Sequence, residues 1–255
     1  RTATAERALE RRLVDSVSTD PACLSSCDLV VLSLPIPALL APESTLLEAI
    51  PESAVVTDVG SVKQPVLEVW RSLHPRFVAS HPMAGTASAG VEAGQAGLFR
   101  GRPWIATPDA GTDPTAVEVV RTLAHDLGSQ WHTASAEQHD QAVALISHMP
   151  VLVSAALLRT AGDERDPEIR QLAQSLASSG FADSTRIGGG NPDLGVAMAS
   201  SNSAAVLKAL AAYRWSLEQL EDAVLRNNWQ QLHRELQRTQ SLRPDYQQSS
   251  PTGAT

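Results

Sequence analysis

The sequence predicts an α/β fold with a mostly parallel, Rossmann-like sheet, followed by an all-helical region. Two observations lead to this fold class. Short apolar runs alternate with helical segments up to about Thr133, and long helical patterns without strands follow from Ala134. The expected strands cover residues 29–34, 54–57, 76–79, 104–107 and 130–133. We therefore expect a nucleotide-binding domain over 1–133, a helical domain over 134–240 and a disordered polar tail over 241–255.

The expected helices fit this division. Residues 5–14 form a first helix, and the apolar spacing of residues 66–73 and 115–127 predicts helices that each cover one face of the sheet. A longer helical pattern runs over residues 136–160 and contains Pro150. Because the proline ring removes an intrahelical hydrogen bond, we expect a kink or a break near this residue.

One helix of the second region carries a continuous apolar stripe. Its residues recur at spacings of four and three: Val206, Leu210, Tyr213, Leu217, Leu220 and Val224. Such a heptad-like stripe requires a partner helix. The partner is either another helix of the same domain or a second subunit, and the pattern is compatible with both.

Composition and charge exclude several function classes. The 255 residues carry a formal net charge of -8, which disfavours nucleic acid and anionic membranes as partners, since both require clustered Lys and Arg. The apolar stretches are interrupted before the roughly 20 residues needed to span a bilayer. We expect a cytoplasmic protein that acts on small molecules. Cys23 and Cys27 have no Cys or His cluster around them, so we interpret both as structural thiols and expect no metal site.

A histidine follows the third predicted strand, in the segment SHPMAGT at residues 80–86. In open α/β sheets, ligands bind beyond the carboxyl ends of the strands, and both Ser61 and His81 are predicted to lie at such ends. Because histidine titrates near neutral pH, His81 is suited to accept a proton from a substrate hydroxyl. The alternative is a turn histidine that hydrogen bonds only to the backbone.

The beginning of the chain lacks the motif that usually opens a nucleotide-binding domain. No G-x-G-x-x-G turn is present, and the chain starts directly in a helix. The glycine cluster at residues 188–190 lies in the helical region without a preceding strand, so we interpret it as a connecting turn. We expect that the first βα unit of the domain is missing from this sequence.

Four segments together resemble the prephenate/arogenate dehydrogenase family. They are DVGSVK at 58–63, SHPMAGT at 80–86, ISHMP at 146–150 and TRIGGGNP at 185–192, and they occur in the family's order. The chain most closely resembles the cyanobacterial arogenate type, over nearly its whole length up to about Gln240. The resemblance implies an oxidative decarboxylation in tyrosine biosynthesis.

The resemblance also implies roles for individual residues. His81 matches the family's proton acceptor, and Ser61 matches the hydroxyl that hydrogen bonds near the reacting group. Arg186 matches the arginine that binds the substrate carboxylate, for which a planar guanidinium is well suited. His148 and Thr86 match positions of the substrate pocket.

The resemblance also implies contacts with a nicotinamide cofactor. Arg1 and Thr2 fall near the position of an arginine that binds the 2′-phosphate of NADP, which favours NADP over NAD. The alternative is that the chain merely begins at an arginine without this role. The remaining cofactor positions follow two strands: Ser33, Leu34, Pro35 and Gly60. Leu34 stands where the family has a threonine, so only backbone contacts carry over there.

The resemblance implies that the protein is an NADP-dependent arogenate dehydrogenase, and we expect it to form a homodimer through its helical domain. A prephenate dehydrogenase is the alternative within the enzymes, because the two substrates differ only in an amino or keto group. A second alternative belongs to another class: a non-catalytic dimerising fragment without a competent cofactor site. The absent glycine-rich turn favours this last alternative.

Overall fold

The computed structural model of the protein describes residues 2–85 and 90–246. Two of the predicted site residues, Arg1 and Thr86, lie outside these described residues, as do residues 247–255. By its backbone contacts the chain divides into two units, Arg1–Ser203 and Ala204–Thr255. The predicted domain boundary at 133/134 therefore differs from this division and stays a prediction.

A parallel sheet of three strands forms the centre of the first unit. Its strands are β1 (Leu29–Leu32), β2 (Val55–Asp58) and β3 (Phe77–Val78), in the order β1-β2-β3. In the register, Leu32 pairs with Asp58, so β1 and β2 end at the same edge. All four residues of β2 are buried, as expected for a central parallel strand covered on both faces.

A second sheet continues directly from the first. It contains β4 (Ser80–Pro82), β5 (Pro103–Ala106) and β6 (Gln130–Thr133). Strand β5 lies between the other two and runs antiparallel to β4 and parallel to β6. Only Ala79 separates β3 from β4, so one extended segment leaves the parallel sheet and enters the mixed one. The predicted α/β class is confirmed. The expectation that His81 follows a strand end is corrected: it lies inside β4, opposite Ile105, because the chain stays extended and finds a second partner in β5.

Short helices flank the sheets. Those on the α/β core are α2 (Ile36–Leu40), α3 (Ser44–Ala49), α4 (Gln64–Trp70) and α5 (Pro114–Asp126), whereas α1 (Thr2–Glu10) has no buried residue and contacts the 3-10 turn at Val91–Ala93. Helix α5 begins where the Asp113 side chain accepts a hydrogen bond from Thr115 N and proline occupies the first helical position. In the core, Trp70 stacks on Phe77 and donates its indole N–H to Leu39 O at 2.8 Å, which satisfies the one polar group of a fully buried side chain.

A long helical run follows the second sheet. It consists of α6 (Ala136–Val143), a π-helical segment at Ala144–His148 and α7 (Met149–Gly162). The run starts in a capping box in which Ser135 and Gln138 satisfy each other's backbone N–H groups. The helix does not break at Pro150, where we predicted a kink or a break. The helix widens into π-type bonding just before the proline and then continues, as π-bulges commonly allow.

This run is longer and more apolar than the sequence led us to expect. Ala136–Gly162 counts 27 residues, its most apolar window has a mean hydropathy of 1.8, and 22% of that window is buried. By length and composition it could cross a membrane, which corrects the expectation of uniformly short apolar stretches. The same run contributes His139, Asp140 and His148 to a buried hydrogen-bond network, described below. These contacts identify it as a helix of the site.

Three shorter helices complete the first unit: α8 (Pro167–Leu176), α9 (Ser179–Thr185) and α10 (Pro192–Ser201). A small apolar cluster joins α10 to the α/β part, with Met198 packed among Ile36 and Val62. The segment after β2 and the helical region therefore share one core. This packing holds the residues of the site together.

The second unit is helical. It is formed by α11 (Ser203–Leu225), α12 (Trp229–Leu242) and a 3-10 turn at Arg243–Tyr246. Two residues after the end of α11, Asn227 adopts a left-handed conformation with φ 53°, a frequent role of asparagine after a helix. Helical structure thus continues beyond Ser241, where the tail was predicted to begin.

The apolar stripe of α11 is only partly covered. Val206 is buried, whereas Leu217 and Val224 are 49% and 50% exposed. A heptad-like stripe that stays half exposed in one chain fits a partner better than an internal core.

Candidate active site

The carboxyl edge of the parallel sheet presents the first group of predicted site residues. Ser33, Leu34 and Pro35 follow β1 and are exposed, and the edge of such a sheet is where α/β enzymes bind nucleotides. These residues fit a bound nicotinamide nucleotide, whose contacts there would come from exposed backbone. Thr2 is exposed on α1, and its contact with a cofactor stays a prediction.

Gly60 follows β2 and is buried rather than open to a ligand. A Cβ atom at this position would lie 2.9 Å from both Asp58 Oδ2 and Leu39 Cδ1, too close for any side chain. The Gly60 N–H donates to Asp58 Oδ2 at 2.8 Å. The structure thus gives Gly60 a packing role, and its predicted contact with the cofactor stays a prediction.

A buried ion pair connects β2 to the strand that carries His81. The Lys63 ammonium contacts the Asp58 carboxylate, and both side chains are fully buried. Lys63 Nζ also donates to Ser80 O at 2.7 Å, and Asp58 Oδ1 accepts from Ser80 N at 3.1 Å. Burial lowers the pKa of Lys63, against the opposing effect of Asp58. The pair fixes the backbone immediately before His81.

His81 begins a chain of hydrogen bonds that runs into α6. Its Nδ1 lies 2.9 Å from His139 Nε2, and the two rings meet edge to face with centroids 5.2 Å apart. His139 Nδ1 in turn lies 2.7 Å from Asp140 Oδ1. Burial lowers the pKa of His81 well below its usual value, and Lys63, His139 and His148 lower it further. His81 is therefore neutral at pH 7 and can act as a base.

Asp140 connects the helical run to the segment after β2. Its Oδ1 accepts the backbone N–H of Lys63 at 2.7 Å, and its Oδ2 accepts that of Gln64 at 2.9 Å. The sequence analysis did not identify His139 and Asp140. A usable signal was present, because His139, Asp140 and His148 fall within ten residues of one another in a long, largely apolar helical run.

Two buried polar atoms of the predicted site have no partner among the residues the structure describes. They are Ser61 Oγ and His148 Nε2. The Asn202 amide lies 3.3 Å from His148 Nδ1 and donates to it, so the proton of His148 sits on Nε2. Burial lowers the pKa of His148 to about 4, so the ring is neutral. Because buried polar atoms are normally hydrogen bonded, these two indicate a place for a ligand.

Arg186 lies just past α9 and is exposed, and within residues 2–85 and 90–246 its guanidinium makes no hydrogen bond or ion pair. Two residues later the backbone comes very close to α7. Gly188 N–H donates to Ser154 Oγ at 2.9 Å, and a Cβ on Gly188 would lie 2.3 Å from Ala155 N. The glycine cluster is thus more than the connecting turn we predicted, since it packs the backbone that follows Arg186 against α7. Ser154 lies six residues, or about 9 Å of helix, beyond His148.

The structure therefore brings together most of the predicted catalytic residues and adds others to them. His81 and His148 are joined through the network around Asp140. Ser61 lies two residues before Lys63, whose backbone N–H donates to Asp140, and Gly188 fastens the turn after Arg186 to α7. Among the described residues, the arrangement offers a neutral histidine, two buried polar atoms without a partner and an exposed guanidinium without one. Fold and site define an α/β protein of the class that binds nucleotides at the carboxyl edge of its parallel sheet.

Known proteins match the whole of this architecture. The family model described as prephenate dehydrogenase, nucleotide-binding domain, matches residues 1–133, and the one described as prephenate dehydrogenase, dimerization domain, matches residues 135–238. The chain belongs to the prephenate dehydrogenase family, whose members are NAD(P)-dependent oxidoreductases. The resemblance drawn from the four sequence segments is confirmed.

Individual relatives agree with this assignment. Cyclohexadienyl dehydrogenase of Zymomonas mobilis is 31% identical over 86% of this chain and 75% of its own length. Prephenate dehydrogenase of Bacillus subtilis is 33% identical over 64% of this chain, which corresponds to only 44% of that relative's length.

Solved structures are similar over nearly the whole chain. Synechocystis arogenate dehydrogenase is 41% identical with a TM-score of 0.80 and covers 97% of this chain and 89% of its own. Prephenate dehydrogenase from Aquifex aeolicus, in complex with hydroxyphenyl propionate and NAD+, is 30% identical with a TM-score of 0.89 and covers 97% of this chain and 87% of its own.

Proposed function

We propose that this protein converts arogenate to tyrosine by an oxidative decarboxylation that uses NADP. The observation that carries the proposal is the neutral, half-buried His81, held in a hydrogen-bond chain beside the unpartnered atoms of Ser61 and His148. The chemistry needs these features, because a hydroxyl proton has to be accepted while the reacting ring is held in a fixed orientation.

The reaction balances with one proton acceptor. A nicotinamide cofactor held at the sheet edge by Ser33, Leu34 and Pro35 would supply the acceptor for the hydride of the ring carbon that carries the hydroxyl. His81 takes the hydroxyl proton, so that a ring carbonyl forms. The carbon–carboxylate bond then breaks, its electron pair flows into the ring, and CO₂ leaves. The resulting phenolate oxygen regains a proton from His81, so tyrosine, CO₂ and the reduced cofactor are the products without net release of a proton.

The other site residues bind and orient the substrate. Ser61 Oγ hydrogen bonds to the substrate hydroxyl, and His148 Nε2–H donates to a substrate oxygen, which satisfies both buried atoms. Arg186 pairs with a substrate carboxylate through its planar guanidinium. Thr86, which lies outside the described residues, completes the pocket in this proposal.

Arogenate is proposed over prephenate because the identity to an arogenate dehydrogenase is 41%, against 30% for a prephenate dehydrogenase of equal coverage. Prephenate is the second candidate. NADP is proposed over NAD because the family resemblance puts Arg1 and Thr2 near the sequence position of an arginine that binds the 2′-phosphate of NADP. Ser33, Leu34, Pro35 and Gly60 would line the cofactor at the edge of the sheet.

We further propose that the protein works in the cytoplasm as a homodimer. The half-exposed stripe of α11 supports a second copy as the partner, and the family model for residues 135–238 is described as a dimerization domain. The formal net charge of -8 agrees with a partner other than nucleic acid.

A two-by-two assay tests the proposed reaction. Purified full-length protein is given arogenate or prephenate, each with NADP or NAD, and reduced cofactor is followed by its absorbance. We expect the highest kcat/KM for arogenate with NADP. A higher kcat/KM with prephenate would show that arogenate is the wrong substrate, and a higher kcat/KM with NAD would show that NADP is the wrong cofactor. No turnover in any combination would refute the enzymatic function.

A further inference from the structure

We propose that His139 and Asp140 are positioning residues that fix the tautomer of His81, so that its proton lies on Nδ1 and its Nε2 is free to accept the substrate proton. The three side chains form a single hydrogen-bonded chain, Asp140–His139–His81. This inference rests on the proposed function of His81 as the base.

The direction of each hydrogen bond follows from the Asp140 end. The Asp140 carboxylate already accepts two backbone N–H groups, from Lys63 and Gln64, and at this position it acts only as an acceptor. The group 2.7 Å from its Oδ1 must therefore be a donor, so His139 carries a proton on Nδ1. Asp140 thereby determines the tautomer of His139.

The tautomer of His139 then determines that of His81. A neutral imidazole with a proton on Nδ1 has a lone pair on Nε2, which can only accept. His139 Nε2 lies 2.9 Å from His81 Nδ1, so His81 donates from Nδ1. Its second nitrogen, Nε2, is left with a lone pair. Without this chain a neutral histidine could carry its proton on either nitrogen, and one of the two forms would be inactive as a base.

The chain is also rigid. His139 is 1% exposed and Asp140 5% exposed, and the Asp140 backbone carbonyl accepts from the Asn202 amide at 2.8 Å. At the other end, Ser80 is held by Lys63 and Asp58 through its backbone. His81 is thus fixed both through its ring and through its strand, which reduces the reorganisation needed for proton transfer.

The charged and titratable groups around His81 keep the ring neutral before the reaction. Burial, Lys63, His139 and His148 all lower the pKa of His81. Asp140 lies one imidazole further along the chain, and both it and Asp58 oppose the effect of burial on the Lys63 ammonium. The chain therefore fixes the tautomer of a base that is free to accept a proton.

Kinetics of His139 variants test the positioning role. His139→Leu removes the acceptor for His81 Nδ1, and we expect kcat to fall by about 10²-fold with KM within about threefold of the wild type. His139→Gln restores an acceptor oxygen near the position of Nε2 and should recover kcat to within about tenfold. His125→Leu, the same change at an exposed histidine of α5, is the control and should leave both constants unchanged.

The tautomer itself can be read without substrate or cofactor. Long-range ¹H–¹⁵N spectra of full-length protein labelled with ¹⁵N-histidine distinguish protonation at Nδ1 from protonation at Nε2, and the His81→Asn variant assigns the signal. We expect Nδ1 protonation of His81 in the wild type and its loss in His139→Leu. Three outcomes would each overturn the inference. They are Nε2 protonation of His81 in the wild type, an unchanged kcat in His139→Leu, and equal losses of kcat in His139→Leu and His139→Gln. Failure of the proposed function is distinct, because the wild type would then oxidise neither substrate whatever the tautomer.

Discussion

His81 is a half-buried imidazole whose charge depends on its neighbours. Burial and the nearby Lys63 lower its pKa, so the neutral ring persists as the pH falls through 6.5. Because only the neutral ring can accept a proton, we expect kcat/KM to stay level from pH 7 to pH 6 and to decline only at lower pH. A pH profile measured with saturating cofactor checks this. A decline centred at pH 6.5 or above would show a solvent-exposed histidine instead.

Arg186 contributes binding rather than chemistry in this account. Its guanidinium has no partner in the described part of the chain, so a substrate carboxylate can pair with it at little reorganisation cost. We expect Arg186→Ala to raise KM by about 10- to 100-fold, equivalent to about 1.4–3 kcal/mol, with kcat nearly unchanged. Steady-state kinetics with arogenate measure both constants.

Arg159→Ala is the matched control for Arg186→Ala. Arg159 is 82% exposed on α7, and its guanidinium pairs with the Asp163 carboxylate one turn away, at 3.5 Å. Its removal should leave KM and kcat within about twofold of the wild type. Equal KM values for the Arg186 variant and this control would exclude Arg186 from the substrate site.

At the residue level, the sequence identified the side chains proposed to contact the substrate more readily than the side chains that hold them in place. His81, Ser61, His148 and Arg186 belong to distinctive segments, so each was predicted with a chemical reason. His139 was not, because a histidine in an apolar helix gains its role only from the strand it meets. That contact joins residues 58 positions apart in the chain, and no spacing along the sequence encodes it.

The elements of the fold were predictable where the pattern is local. Helix α5 and strand β6 lie within a residue of their predicted bounds, and Asp113 followed by proline marks the start of α5 in the sequence. The change of sheet between β3 and β4 was not predictable, because it depends on which strand pairs with Ser80–Pro82. The π-helical segment before Pro150 was likewise not predictable, because the proline indicates only that the helix is disturbed and not how.

The turn after α9 depends on a glycine for its contact with α7. A methyl group on Gly188 would meet backbone atoms of Ser154 and Ala155 at 2.4 and 2.3 Å, so the two elements would have to separate. We expect Gly188→Ala to lower the free energy of unfolding by about 1–3 kcal/mol and to raise KM, since Arg186 moves with the turn. Denaturant unfolding and steady-state kinetics measure the two effects.

Gly189→Ala provides the comparison within the same turn. A Cβ there would approach nothing nearer than Leu158 Cδ1 at 3.8 Å, an ordinary contact. This variant should unfold at nearly the denaturant concentration of the wild type. If both alanine variants are equally stable, the close approach of Gly188 is not what holds the turn.

For the whole molecule, the apolar stripe of α11 predicts that two copies of the chain form a dimer. Leu217 and Val224 are half exposed in a single chain, so replacing them should cost little folding stability while removing apolar contacts with a partner. We expect the wild type to sediment at about twice the chain mass, and Leu217→Glu combined with Val224→Glu to shift it toward the monomer. Ala211→Glu, about 140° around the helix from the stripe, should remain dimeric. A monomeric wild type, or a double variant that stays dimeric, would contradict this assembly.

The central claim is that His81 accepts the hydroxyl proton of the substrate, and kcat of the His81→Asn variant tests it most directly. Asparagine preserves a hydrogen-bonding side chain of similar size but cannot act as a base near neutral pH. In the full-length protein with arogenate and NADP, we predict a kcat lower by about 10²- to 10⁴-fold, with KM within about threefold of the wild type. A kcat equal to that of the wild type would contradict the account.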